Sequence, residues 1–164
     1  MLVQLNQTLA LGAPQNDVWR LLRDTLKFAA LIPGLQEINA LEAAPEENTS
    51  ERYAARVTEK VGPFKLNLNL VISVIEISEP HFIRAELTGL DKGGQNRLKG
   101  TLSAALQNHT TNGTQLVFDS SVEVLGKMAS LGAVPIRRRS NELFAEFARR
   151  VQQQFDTGLA GEII

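Results

Sequence analysis

The chain has 164 residues, 43% of them hydrophobic and 21% charged, which suits one globular domain with a real core. Its formal net charge of −1 gives no global attraction to polyanions, so we expect no nucleic-acid partner. Because cysteine is absent, disulfides, thiolate catalysis and cysteine-based metal sites are excluded.

The ends of the chain and its hydropathy bear on location. The N-terminus lacks the basic region and long apolar run of a signal peptide. No stretch approaches the roughly 18 apolar residues that would span a bilayer. These features predict a cytoplasmic protein without a transmembrane segment.

The first part of the chain predicts a strand followed by two short helices. Residues 2–11 alternate in polarity, which is typical of a strand with one buried face. Pro14 then opens a helix, since proline is tolerated at the first helical position, and Trp19 lies on its apolar side. A second short helix, residues 26–31, ends at Pro33 because proline disfavours helix in the residue before it.

The middle of the chain predicts six consecutive strands. The clearest is 64–77, where Phe64, Leu66 and Leu68 begin a regular alternation of apolar and polar side chains. The other predicted strands are 37–44, 52–61, 82–90, 97–106 and 116–124, with turns at 45–48 and 112–113 among their connections. Strands joined by hairpins imply an antiparallel sheet that must bury its apolar face.

Apolar residues spaced by threes and fours predict a long C-terminal helix from Met128 to Phe155. Pro135 lies inside this pattern and removes one backbone hydrogen bond, so we expect a kink or a broken first segment there. The sequence thus predicts an α+β fold in which a curved antiparallel sheet of about seven strands wraps around this helix. The domain should cover residues 1–157, followed by a short tail at 158–164.

Four short motifs occur in a recognisable order along the chain. They are PQNDVW at residues 14–19, LIPG at 31–34, VGP at 61–63 and GKMASLG at 126–132. With these motifs the chain resembles the carbon monoxide dehydrogenase G-subunit family of the SRPBCC, or START-like, superfamily. The resemblance implies a helix-grip fold around a hydrophobic cavity. It also implies a link to a molybdenum hydroxylase, through maturation, membrane recruitment or quinone supply.

The apolar interior predicts the ligand site. Small side chains such as Gly100, Ala104 and Ser120 would leave space under a curved sheet, and the resemblance favours a cavity over a filled core. We therefore predict a non-enzymatic protein that binds a lipid- or quinone-like molecule and needs no cofactor. The predicted lining residues are Ile32, Leu66, Leu68, Leu102, Phe118, Met128, Leu131 and Pro135. The alternatives are a small enzyme of the cyclase or hydrolase type, and an interaction module with a filled core.

Charged and titratable residues give two weaker signals. Arg137, Arg138 and Arg139 could contact an acidic partner or anionic lipids, or could form the solvated back of the helix with nearby glutamates as partners. Glu59 is the one acidic candidate for the interior, although it could equally lie in water at a strand end.

No catalytic or metal-binding constellation is legible. His81 and His109 are far apart in the sequence, and neither takes part in a spacing typical of zinc sites. We therefore predict no catalytic residue and no metal site.

Overall fold

Seven strands form one antiparallel sheet in the computed structural model, which describes residues 1–42, 51–110 and 113–163. The strands are β1 (Leu2–Leu11), β2 (Leu35–Leu41), β3 (Glu51–Val61), β4 (Phe64–Ser78), β5 (Phe82–Asp91), β6 (Asn96–Thr110) and β7 (Gly113–Gly126). Their spatial order is β1-β7-β6-β5-β4-β3-β2, so the first strand pairs with the last. The predicted turn at 45–48 and residue 112 of the predicted hairpin turn lie outside the described residues.

Two short helices follow β1, as the sequence predicts. Helix α1 spans Gln15–Arg23 with Pro14 at its N-cap, and α2 spans Thr25–Ala29. The side chain of Asp24 accepts a hydrogen bond from the Lys27 amide at 3.2 Å, which caps the start of α2. Helix α2 ends before the predicted residue 31, because the chain turns there toward Pro33.

The C-terminal helix begins later than the sequence predicts. A 3₁₀ helix covers Lys127–Leu131, Gly132 breaks the chain direction with a φ of 83°, and helix α3 then runs over Ala133–Ile163. Pro135 therefore lies in the first turn of α3, where backbone amides have no partner within the helix. The break precedes Pro135, and residues 158–163 continue α3 where a tail was predicted.

Two apolar clusters cover the concave face of the sheet. The first lies under α1 and the middle of α3, and includes Trp19, Leu116 and Val151. The second lies under the 3₁₀ helix and the start of α3, and includes Leu68 and Ile136. Trp19 is only 8% exposed, so the prediction that its ring is structural and buried is confirmed.

Candidate ligand pocket

An open apolar pocket of about 380 Å³ lies between the concave face of the sheet and α3, within the second cluster. Inward-facing side chains of β1, β3, β4, β5, β6 and β7 form its floor. Helix α3 and the 3₁₀ helix cover it, and Ile32 and Pro33 lie at one side. The lining is Val3, Leu5, Ile32, Pro33, Val57, Glu59, Val61, Leu66, Leu68, Leu70, Leu87, Leu98, Ser120, Val122, Val124, Met128, Ile136, Arg139, Ser140, Leu143, Phe144 and Phe147.

The floor follows from the two-residue period of the strands. On β4, Leu66, Leu68 and Leu70 point into the pocket, while Lys65 and Asn69 are exposed. Gly89 on β5 stands opposite Leu70, and a Cβ there would lie only 2.6 Å from Leu70 Cδ2. The absence of a side chain at Gly89 therefore lets Leu70 extend across the neighbouring strand.

Four of the predicted lining residues line this pocket: Ile32, Leu66, Leu68 and Met128. Each belongs to the sheet face or to one of the two segments that flank the helix. Ile32 is 36% exposed, so it lies where the pocket meets solvent.

The other predicted lining residues lie elsewhere. Phe118 belongs to an aromatic cluster, with ring centroids 5.7 Å from those of both Phe144 and Phe147, so it fills the space at the far end. Leu131 packs on the second cluster beside Gly62, and Pro135 is exposed at the start of α3. Leu102 is half-buried on the inward parity of β6 without lining the pocket.

A charged pair interrupts the apolar lining. Arg139 donates from Nη2 to Glu59 Oε1, from Nη1 to Glu142 Oε2 at 2.9 Å, and from Nε to the Lys60 carbonyl at 3.1 Å. The Glu59 side chain is only 14% exposed and that of Arg139 is 34% exposed. The hydrogen bonds to Glu59 and then to Glu142 raise the pKa of Arg139 above its usual range. The interior placement of Glu59 is the first of the two positions that the sequence left open.

The remaining arginines of α3 are distributed differently. Arg137 and Arg138 are exposed, whereas Arg139 points into the pocket, so the three do not form one contact surface. Arg149 and Arg150 both pair with Glu146. Hydrogen bonds, first from Arg149 and then from Arg150, lower the pKa of Glu146 to about 2. These pairs are typical of a solvated helix face.

Sequence reasoning missed most of the α3 contribution to the pocket. Ile136, Leu143, Phe144 and Phe147 line it at spacings of seven, eight and eleven residues, which place them on one face of a helix. This periodicity was available in the sequence, but the predicted site was centred on the motif at residues 126–132. The pairing of Glu59 with Arg139 joins residues 80 positions apart and carries no local signal.

The histidines lie away from this pocket or outside the description. His81 is exposed at the turn between β4 and β5, and the side chain of His109 lies outside the described residues. Over the part of the chain that the structure describes, no group of three or more His, Asp or Glu side chains could hold a metal ion. The polar side chains that line the pocket are Glu59, Arg139, Ser120 and Ser140.

The family follows from the sequence as a whole. The profile of CoxG, the family of the carbon monoxide dehydrogenase G subunit, matches residues 8–155. The chain belongs to this family. No protein with a curated functional description matches this CoxG-family chain. Within the described residues, no helix is both long and apolar enough to cross a membrane.

Solved structures show the same fold. A conserved protein from Geobacillus kaustophilus superposes with a TM-score of 0.80 at 21% identity, covering 94% of this chain and 96% of its own. The Zhui aromatase/cyclase from a Streptomyces species gives 0.66 at 13% identity, with coverage of 95% and 94%. A START superfamily protein from Mycobacterium smegmatis gives 0.64 at 11% identity, with coverage of 94% and 97%. At these identities the likeness establishes the helix-grip, START-like fold that the sequence predicts.

Proposed function

We propose that this CoxG-family chain binds a hydrophobic small molecule, lipid- or quinone-like, in the pocket between the sheet and α3. The observation that carries the proposal is the chemistry of the lining, in which apolar side chains surround one charged pair. A volume of about 380 Å³ falls within the range of small-molecule sites, toward its lower end.

The physical chemistry of such a lining favours binding by apolar contact. Each Å² of apolar surface removed from water contributes about 25 cal/mol before the costs of association are subtracted. Because few polar groups face the pocket, selectivity should follow mainly the size and shape of the apolar part. Small polar metabolites would lose their hydration without compensation and should not bind.

The family supports a finer proposal about the role of the ligand. By its name, the family is a component of carbon monoxide dehydrogenase. A ligand-loaded chain could therefore serve the maturation, membrane recruitment or quinone supply of a molybdenum hydroxylase. The Zhui aromatase/cyclase has the same fold, but a shared fold does not transfer an activity, so we propose binding and no reaction.

The test is a titration of apolar ligands against a variant with a filled pocket. We expect a panel of quinones and lipids to raise the melting temperature and small polar metabolites to leave it unchanged, because ligands of the native state stabilise it. Leu87→Trp places a bulky ring in the pocket floor and should abolish the shift. Leu90→Trp is the matched control, since Leu90 lies on the same strand and is 45% exposed.

Two outcomes would contradict the proposal. If no apolar ligand shifts the melting temperature of the parent or is retained in native mass spectrometry, the binding role is wrong. If a folded Leu87→Trp variant binds as well as the parent, the ligand occupies another site.

A further inference from the structure

We infer that the Glu59–Arg139 pair selects ligands with an uncharged polar head group, such as a hydroxyl, over ligands with a carboxylate. This inference rests on the proposed function of the pocket. It assigns to the charged pair the choice of head group, which an apolar lining alone cannot make.

The hydrogen bonds of Arg139 define what the pair can still offer. A guanidinium carries five N–H donors, and Arg139 uses three of them, for Glu59, Glu142 and the Lys60 carbonyl. Two donors therefore remain. Glu59 Oε1 accepts from Arg139 and from the Lys60 amide at 3.1 Å. Glu59 Oε2 accepts no hydrogen bond from any residue that the structure describes, so it remains available as an acceptor.

A free acceptor beside free donors matches a hydroxyl, which donates one hydrogen bond and accepts others. The hydroxyl proton would go to Glu59 Oε2, and its oxygen would accept from Arg139. A carbonyl or an ether could use only the donors of Arg139.

A carboxylate head would meet an unfavourable charge balance. One guanidinium and the two carboxylates of Glu59 and Glu142 sum to −1, so a ligand carboxylate would be a third anion around one cation. It would also lose hydration in an apolar site, where an ion that is not newly paired is costly to bury. An ammonium head would meet the same desolvation cost, with much of the local negative charge already neutralised by Arg139.

The position of the pair fixes the orientation of the ligand. Glu59 lies on β3 and Arg139 on α3, at the side of the pocket that also carries Ile32. From there the floor runs across Leu70, Leu87 and Leu98 on β4, β5 and β6. The head group would lie at the pair, and the apolar chain would extend over these strands.

Decanol and decanoate test the inference because they share one apolar chain and differ in the head group. Isothermal calorimetry on the parent should show decanol binding at least about tenfold more tightly, since one hydrogen bond to a charged group is worth that factor or more. Glu59→Gln removes one carboxylate while keeping the shape of the side chain. This change frees Arg139 to pair with the ligand carboxylate, so the preference should disappear or reverse.

Two further variants keep the test sharp. Glu142→Gln removes the other carboxylate from Arg139 at a side chain that is 56% exposed, so it should fold and should narrow the preference in the same direction. Glu76→Gln is the control: it removes a carboxylate that pairs with Arg84 at 3.0 Å outside the pocket, and it should leave the preference unchanged.

The outcomes separate this inference from the proposed function. Equal binding of decanol and decanoate to the parent would overturn the inference, as would tighter binding of decanoate or decylamine. An unchanged preference in both Glu59→Gln and Glu142→Gln would also overturn it. If neither decanol nor any other apolar ligand binds the parent, the proposed function itself fails.

Discussion

Trp19 illustrates how a single side chain holds the first helix on the sheet. Helix α1 spans only Gln15–Arg23, which is too short to persist alone, so its stability comes from burial of one face. Trp19 supplies much of that face and joins the first apolar cluster with Leu21 and Leu22.

Trp19→Ala should therefore lower the free energy of unfolding by about 3–5 kcal/mol, because it removes a buried aromatic ring and leaves a cavity. Urea unfolding followed by circular dichroism measures the change. Leu26→Ala is a suitable control, since Leu26 is 44% exposed on α2 and its loss should cost far less. An unchanged midpoint for Trp19→Ala would mean that the ring contributes little to the packing of α1.

Glu51 connects α1 to the start of β3 through hydrogen bonds. Burial by itself raises its pKa, but hydrogen bonds from Tyr53 and Arg23 outweigh burial, so the pKa of Glu51 lies below its ordinary value. Arg23 Nη1 lies 2.9 Å from Glu51 Oε1. A carboxylate with a lowered pKa in the fold stabilises the native state when it is ionised.

Glu51→Gln should accordingly destabilise the protein by about 1.5 kcal/mol at neutral pH. The stabilisation by Glu51 is complete above the ordinary glutamate pKa of about 4.3 and is lost as the pH falls through the lower pKa of the folded state. Unfolding free energies of parent and variant should thus differ at neutral pH and converge in acid. A constant difference across this range would contradict the assignment, and Glu86→Gln, at an exposed site, should show no such trend.

At the scale of elements, the junction between β7 and α3 determines where the pocket is covered. The Met128 amide donates to Asn96 Oδ1 at 2.7 Å, and Asn96 is only 2% exposed, so the 3₁₀ helix is tied to the start of β6. Gly126 and Gly132 flank that helix with φ values of 107° and 83°. A side chain is disfavoured at both angles, for about 1–3 kcal/mol each.

Gly126→Ala should destabilise the protein more than Gly132→Ala. A Cβ at Gly126 would lie 1.9 Å from the Gln95 carbonyl oxygen, whereas a Cβ at Gly132 would meet nothing within 4 Å. Both variants share the cost of the backbone angle, so their difference in urea unfolding isolates the collision. A larger loss for Gly132→Ala would contradict this account of the junction.

At the scale of the whole molecule, the sequence was sufficient for the fold because its signals are local. The two-residue period of β4 and the apolar spacing of α3 each appear within a short window, and the hairpins fix which strands are neighbours. Pro135 misled the prediction of the helix start, since a proline inside an apolar period could mark either a kink or a first turn. The positive φ of Gly132 decides between them.

The site could be predicted only in part, because parity identifies a face and not the space above it. Phe118, Ser120 and Val122 alternate inward on β7, yet Phe118 is covered by Phe144 and Phe147 while the other two face the pocket. Which of them meets a ring and which meets open space depends on how α3 lies across the sheet. That arrangement is a tertiary property without a sequence period.

The pairing of β1 with β7 has a consequence for biosynthesis. In β1, Leu11 faces Thr114 and Leu2 faces Glu123, so β1 finds its neighbour in the sheet only when the chain is nearly finished. At typical ribosomal rates, the hundred or so residues between them take roughly 5–20 seconds to make. During that interval the apolar side chains Leu5, Leu9 and Leu11 lack the surface that covers them in the finished fold. The nascent chain therefore presents to chaperones a waiting strand that the mature protein conceals.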